Sequence, residues 1–301
     1  MKLKLFPLAL AAVATSLPLT VLAQAQVTFE IFASFDYPGA LGSNLGGINE
    51  AGDVVGGYTD NTFFSHGFVR FHDGTFSAPI IDPNDDGDST NLWGINGAKT
   101  ICGSYGTGNL DDPFQAFLLS DLNTFTEFDL PGAAQTLVKG INDAGNLCGI
   151  FWNDLTHPSG AWVSIDGTIS TFYFPARDTS LNGINNLNQC VGAYVDRNHY
   201  GHGLARNADG TLHYPIDVHG ESSTYLFGIN DRGQMVGLTE GDGTHGVFFS
   251  DFYNSAKFDY PGANNYTVFT GINSHGLIAG FWRDSFGFTH SFIVRVRFVT
   301  N

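Results

Sequence analysis

The chain has 301 residues, with 29 acids against 13 lysines and arginines and a formal charge of −16. A surface of that sign repels phosphate backbones and anionic headgroups, which excludes nucleic acid and anionic membrane as partners. Its 43% hydrophobic content, with 27 phenylalanines, can bury enough apolar area to offset ordering entropy, which excludes a disordered chain.

In chain order, the first element is an address. Lys2 and Lys4 precede an apolar run from Leu5 through Val13, and Val21-Leu22-Ala23 offers small residues where a signal peptidase cuts. Residues 1–23 are therefore expected to be a signal peptide. The run is too short for a spanning helix, and no later run approaches membrane length. The mature chain, 24–301, is expected to be secreted, either extracellular or periplasmic, and monomeric.

The rest is one repeat. Gly-Ile-Asn begins at Gly47, Gly94, Gly140, Gly183, Gly228 and Gly271, at intervals of 47, 46, 43, 45 and 43 residues. Around each copy runs the same phrase of short extended segments with turn residues between them and no helical spacing. In the first copy four strands are expected, at about 41–49, 53–60, 66–72 and 75–82. Asn49 and Gly52, like Asn230 and Gly233, stand first and fourth in a type I turn between the first two strands. Six such units predict an all-β fold, a six-bladed β-propeller with four-stranded blades. The ends are complementary. The last copy stops after its third strand, while Phe35-Asp36-Tyr37-Pro38-Gly39-Ala40 repeats Phe258-Asp259-Tyr260-Pro261-Gly262-Ala263. The segment near 27–37 should supply the missing strand, closing the ring and removing a free edge.

The phrase resembles the repeat of the bacterial extracellular HAF family, named for a His-Ala-Phe triplet. Here the triplet is varied, as in His66-Gly67-Phe68, Gln115-Ala116-Phe117 and His290-Ser291-Phe292. The resemblance covers nearly the whole mature chain, implies a secreted repeat protein and brings no catalytic residues.

Four constellations are candidates for chemistry. His66 with Asp82, His202 with Asp217, His245 with Asp259, and His290 with Asp36 are expected to form structural pairs, because a catalytic pair occurs once and is not copied around a ring. Tyr58, Tyr105, Phe151, Tyr194 and Trp282 each lie two residues beyond the second-strand Gly; they could stack sugar rings or fill the gap between blades. Asp82, Asn84, Asp86 and Asp88 imitate the first half of a calcium loop, but its twelfth position is Trp93 rather than a bidentate Glu. Cys102, Cys148 and Cys190 recur on the second strands, where sheets about 10 Å apart would hold them beyond disulfide reach, as buried free thiols.

Sialidase boxes and Gly-x-Ser-x-Gly are absent, and no residue set breaks the symmetry as an active site must. The sequence points away from an enzyme and toward a secreted binding or interaction module for a glycan or an extracellular protein. The alternatives are an extracellular propeller hydrolase or lyase acting on polysaccharide, and a structural surface or matrix scaffold. Calcium is the one cofactor the residues suggest.

Overall fold

The computed structural model describes residues 26–85, 89–109, 112–154, 159–174 and 178–299, so the leader lies outside them. Six antiparallel sheets stand around an axis as the blades of a propeller, and no helix occurs among the described residues. The innermost strands are Gly42–Ile48, Asn91–Ile95, Gln135–Ile141, Thr179–Ile184, Ser223–Ile229 and Thr267–Ile272, each ending in its Gly-Ile.

The sixth blade is completed by Gln26–Phe35, which runs antiparallel to Thr289–Val299, with Gln26 opposite Val299 and Phe35 opposite Ser291. Arg297 binds Glu30 across this seam at 2.8 Å. The first blade differs from expectation. Its outer strand is reduced to two isolated bridges, Gly67 to Ile80 and Arg70 to Phe76. Pro79 has no N–H to give the ladder, and the Ser77 hydroxyl accepts from the Val69 N–H instead, at 3.0 Å.

The hydrophobic core is divided among the gaps between blades. One cluster joins Val55 and Val69 of the first blade to Leu92, Ile101 and Phe117 of the second. Another closes the ring by joining Ala279 and Ile293 of the sixth to Leu45, Val54 and Phe68 of the first. Fully buried rings such as Phe248, Phe269 and Phe292 are each worth about 1.5–3 kcal/mol in area removed from water.

At the axis the repeat's Asn explains itself. Its Oδ1 accepts backbone N–H groups of its own turn, as Asn185 does from Leu187 and Gln189 at 3.0 and 2.9 Å. Its Nδ2 donates to the backbone carbonyl of the corresponding Asn one blade on. Asn49 reaches Asn96, Asn96 reaches Asn142, Asn142 reaches Asn185, Asn185 reaches Asn230, Asn230 reaches Asn273, and Asn273 returns to Asn49, all at 2.9–3.2 Å. All six side chains are buried. The Gly two residues earlier is equally constrained: a Cβ at Gly228 would lie 2.9 Å from the Gly271 Cα.

Replacing Asn185 by Ala removes its turn bonds and its link to the next blade, leaving the Asn230 carbonyl with only the Gly233 N–H of its own turn. Urea unfolding should show a loss of about 2–4 kcal/mol, against less than about 0.5 kcal/mol for Asn123→Ala on the exposed surface.

Candidate functional site

Each innermost strand carries a β-bulge one residue before its Gly-Ile-Asn. The ladder skips a residue between Leu45 and Gly47, Leu92 and Gly94, Val138 and Gly140, Leu181 and Gly183, Leu226 and Gly228, and Phe269 and Gly271. A bulge re-aims the side chain it leaves unpaired. Here the six unpaired residues are Gly46, Trp93, Lys139, Asn182, Phe227 and Thr270, and all six line the central channel. The ring around them repeats, yet no two of these residues are alike.

The channel cavity measures about 520 Å³ and occupies the half of the axis nearer the loops that enter the innermost strands. That volume falls in the range of small-molecule sites. Tyr225, Tyr266 and Phe281 add aromatic surface, while Asn44, Asn91 and Ser180 add polar groups. Six isoleucines, Ile48, Ile95, Ile141, Ile184, Ile229 and Ile272, line this cavity and also a smaller one of about 60 Å³ beyond it, so they form the constriction between the two. The small end is polar. Asp143 accepts from the Gly97 N–H at 2.6 Å, Asp231 from the Asn186 N–H at 2.7 Å, and Glu50 from the Ser274 N–H at 2.9 Å, which ties these acids into the blade contacts.

Among the described residues, Lys139 is the cation that lines the large cavity. Its Nζ lies 3.2 Å from the centroid of the Trp93 ring. Burial lowers its pKa to about 8, and the ionisable groups that act on it are the Cys102 and Cys148 thiols rather than any carboxylate. At the rim, Arg283 stacks over Tyr266 at 3.9 Å.

The aromatic residues singled out in the sequence stand between blades, away from this cavity. Tyr58, Tyr105 and Phe151 are buried. Tyr58 stacks on Tyr37 with centroids 4.1 Å apart, Tyr194 on Phe174 at 4.1 Å, and Trp282 on Tyr260 at 4.9 Å. Those faces are thus occupied by neighbouring rings.

Near the same stacks, the histidines meet two carboxylates where the loops allow it. His290 bonds Asp36 at 2.7 Å and Asp284 at 3.4 Å, His245 bonds Asp259 at 2.6 Å and Asp242 at 3.0 Å, and His202 bonds Asp217 at 2.8 Å. Burial lowers the pKa of His245 and His290, but the bonds to their paired carboxylates outweigh it and leave both raised. His66 departs from expectation: it bonds Asp60 at 3.0 Å, not Asp82. Because Gly67 pairs with Ile80 as Gly203 pairs with Ile216, the counterpart of Asp217 is Ile81, and Asp82 falls one position later.

That slip puts Asp82 where other blades carry Tyr37, Leu130, Phe174, Val218 or Tyr260. Its backbone N–H donates to the Thr90 hydroxyl, as that of Leu130 does to Thr136 and that of Val218 to Thr224. Asp82 is 1% exposed, and among the described residues its Oδ2 has no hydrogen-bond partner. Burial raises its pKa, and Glu127 and Asp85 add to the effect. Of the calcium-loop residues, Asp86 and Asp88 lie outside the described residues, and the Asn84 amide donates to Glu127 at 3.3 Å. Among the described residues, no three acidic, His or Cys side chains are grouped to hold a metal. The cysteines are free and buried, and Cys148 and Cys190 share one buried cluster where the third and fourth blades approach so closely that a Cβ at Gly140 would lie 3.2 Å from the Gly183 Cα. The sheet spacing used in the sequence reading does not hold at their inner ends, where blades converge on the axis.

No protein-family model matches the sequence, and no curated protein does. Solved structures do resemble it in fold. A mutant of AofleA from Arthrobotrys oligospora superposes with a TM-score of 0.55 at 8% identity, over 92% of this chain and 91% of that one. A Dyadobacter fermentans protein of unknown function gives 0.55 at 9% identity, over 89% and 99%. The fucose-specific lectin of Aleuria aurantia gives 0.53 at 9% identity, over 92% and 96%.

Two measurements follow from these environments. The raised Asp82 pKa means that the folded state keeps a proton the unfolded chain releases above about pH 3.9, so this group costs stability as pH rises. Asp82→Leu should therefore stabilise by about 1–4 kcal/mol near neutral pH and by less near pH 4; the same melts with calcium added test the calcium expectation, which requires a shift in wild type that the variant lacks. His290 has the opposite sign. Its raised pKa gives stability that is full below about pH 6.5 and is lost as pH rises through the folded value, so His290→Gln should cost more near pH 5.5 than near pH 8.5.

Proposed function

We propose that this chain is an exported binding module that takes a small glycan into the large end of its central channel. The observation that carries this reading is the asymmetry of the bulge ring: six equivalent positions that the fold aims at one cavity hold Gly46, Trp93, Lys139, Asn182, Phe227 and Thr270. Packing accounts for residues that repeat and for Gly46, where a Cβ would meet the Leu92 carbonyl, but it does not call for Lys139 and Phe227 in a channel. Aromatic faces from Trp93, Phe227 and Tyr225 beside the amides of Asn44, Asn91 and Asn182 suit a sugar, which has apolar faces and hydroxyl edges. The fucose-specific Aleuria lectin uses the same fold, which agrees with a propeller that binds glycans. The charged, then apolar, leader supports export to the periplasm or the outside of the cell.

A glycan array and then calorimetry with the retained glycan test the reading. Trp93→Ala should weaken binding about 30-fold, equivalent to about 2 kcal/mol, with the glycan recovered intact. Release of cleaved product would favour the hydrolase or lyase alternative. Retention unchanged in Trp93→Ala would move the site out of the channel, and no retention by wild type would favour the scaffold.

A further inference from the structure

Lys139 occupies a position at which the fold needs no cation. The other blades place Gly, Trp, Asn, Phe or Thr at the same bulge, so neither closure nor packing requires an ammonium there. Among the described residues it has neither a carboxylate partner nor a side-chain hydrogen bond, and beyond the Cys102 and Cys148 thiols its compensation is the Trp93 ring face at 3.2 Å. A half-buried charge with so little compensation is costly, and perturbed groups of this kind in a cleft mark functional sites. The surroundings then restrict the ligand. One ammonium inside the cavity balances one negative charge. The −16 of the whole chain disfavours a polyanion, and the aromatic and amide lining suits a sugar body.

We propose that the channel selects a sugar bearing a single carboxylate, whose anion sits on Lys139 while its ring lies against Trp93 and Phe227. This rests on the binding-module reading and adds the charge of the ligand. The Lys139 ammonium remains largely charged at neutral pH despite the lowered pKa, and a carboxylate would hold it so. Arg283, stacked on Tyr266 at the rim, gives an entering anion a second favourable charge.

The test is calorimetry with glucuronate, galacturonate and N-acetylneuraminate, each against its neutral counterpart, on wild type, Lys139→Met and Lys139→Arg. Wild type should prefer the acidic sugars by at least about tenfold, the ordinary worth of a charge-assisted bond. Lys139→Met, which keeps the apolar stem, should lose that preference by weakening the acidic sugars at least about tenfold more than their neutral counterparts, and Lys139→Arg should retain it in part. Melting temperature controls for folding: Lys139→Met should melt no lower than wild type, since it removes an uncompensated charge. Equal binding of acidic and neutral sugars, or a preference that survives in Lys139→Met, overturns the assignment and leaves the glycan reading standing. Binding of neither class to a folded wild type overturns both.

Discussion

The structure depends on a closed ring of six amides around the axis. Each Asn of the repeat both folds its own turn and holds the next blade by a backbone carbonyl, so one side chain fixes local geometry and blade spacing together. The two roles use the two ends of the amide, Oδ1 as acceptor and Nδ2 as donor, and Asp or Ser could supply only part of that. With the turns pinned, the preceding isoleucines meet at the constriction and the glycines before them pack backbone against backbone.

The same constraint separates architecture from the candidate site. On the constrained side of the bulge Gly, Ile and Asn repeat in every blade, and in three of the six the next residue, Glu50, Asp143 or Asp231, accepts an N–H of the neighbouring blade. The residue in the bulge takes no part in the amide ring and borders the cavity, so its identity differs between blades, although Gly46, Trp93, Asn182 and Thr270 each also meet their own or a neighbouring blade. An asymmetric channel lining can therefore sit beside a symmetric scaffold.

The histidine pairs belong to the scaffold side. His202, His245 and His290 each bond a carboxylate on the adjoining outer strand or its exit loop, and His202 and His290 also lie on the rings of Tyr194 and Trp282. The seam at the sixth blade uses the same device, since Asp36 comes from the N-terminal segment and His290 from the C-terminal one. The pair thus ties the two ends of the chain together beyond the strand ladder.

Periodicity by itself determined the fold. Six Gly-Ile-Asn phrases at near-constant spacing, with complementary ends, leave a closed ring as the arrangement that gives every blade a neighbour on both sides, and the N-terminal strand lies where the repeat Phe-Asp-Tyr-Pro-Gly-Ala placed it. Three matters were decided only in three dimensions. Strand alternation assigns a face two residues at a time, so it could not show that a bulge turns Trp93, Lys139 and their counterparts into the channel. Alignment by residue type set Asp82 beside Asp217, whereas hydrogen-bond register sets Ile81 there and buries Asp82 at an apolar position. The convergence of Cys148 and Cys190 follows from radial geometry, because blades that are far apart at the rim close together at the axis. In each case the deciding quantity was a register or a radius, which one-dimensional spacing does not contain.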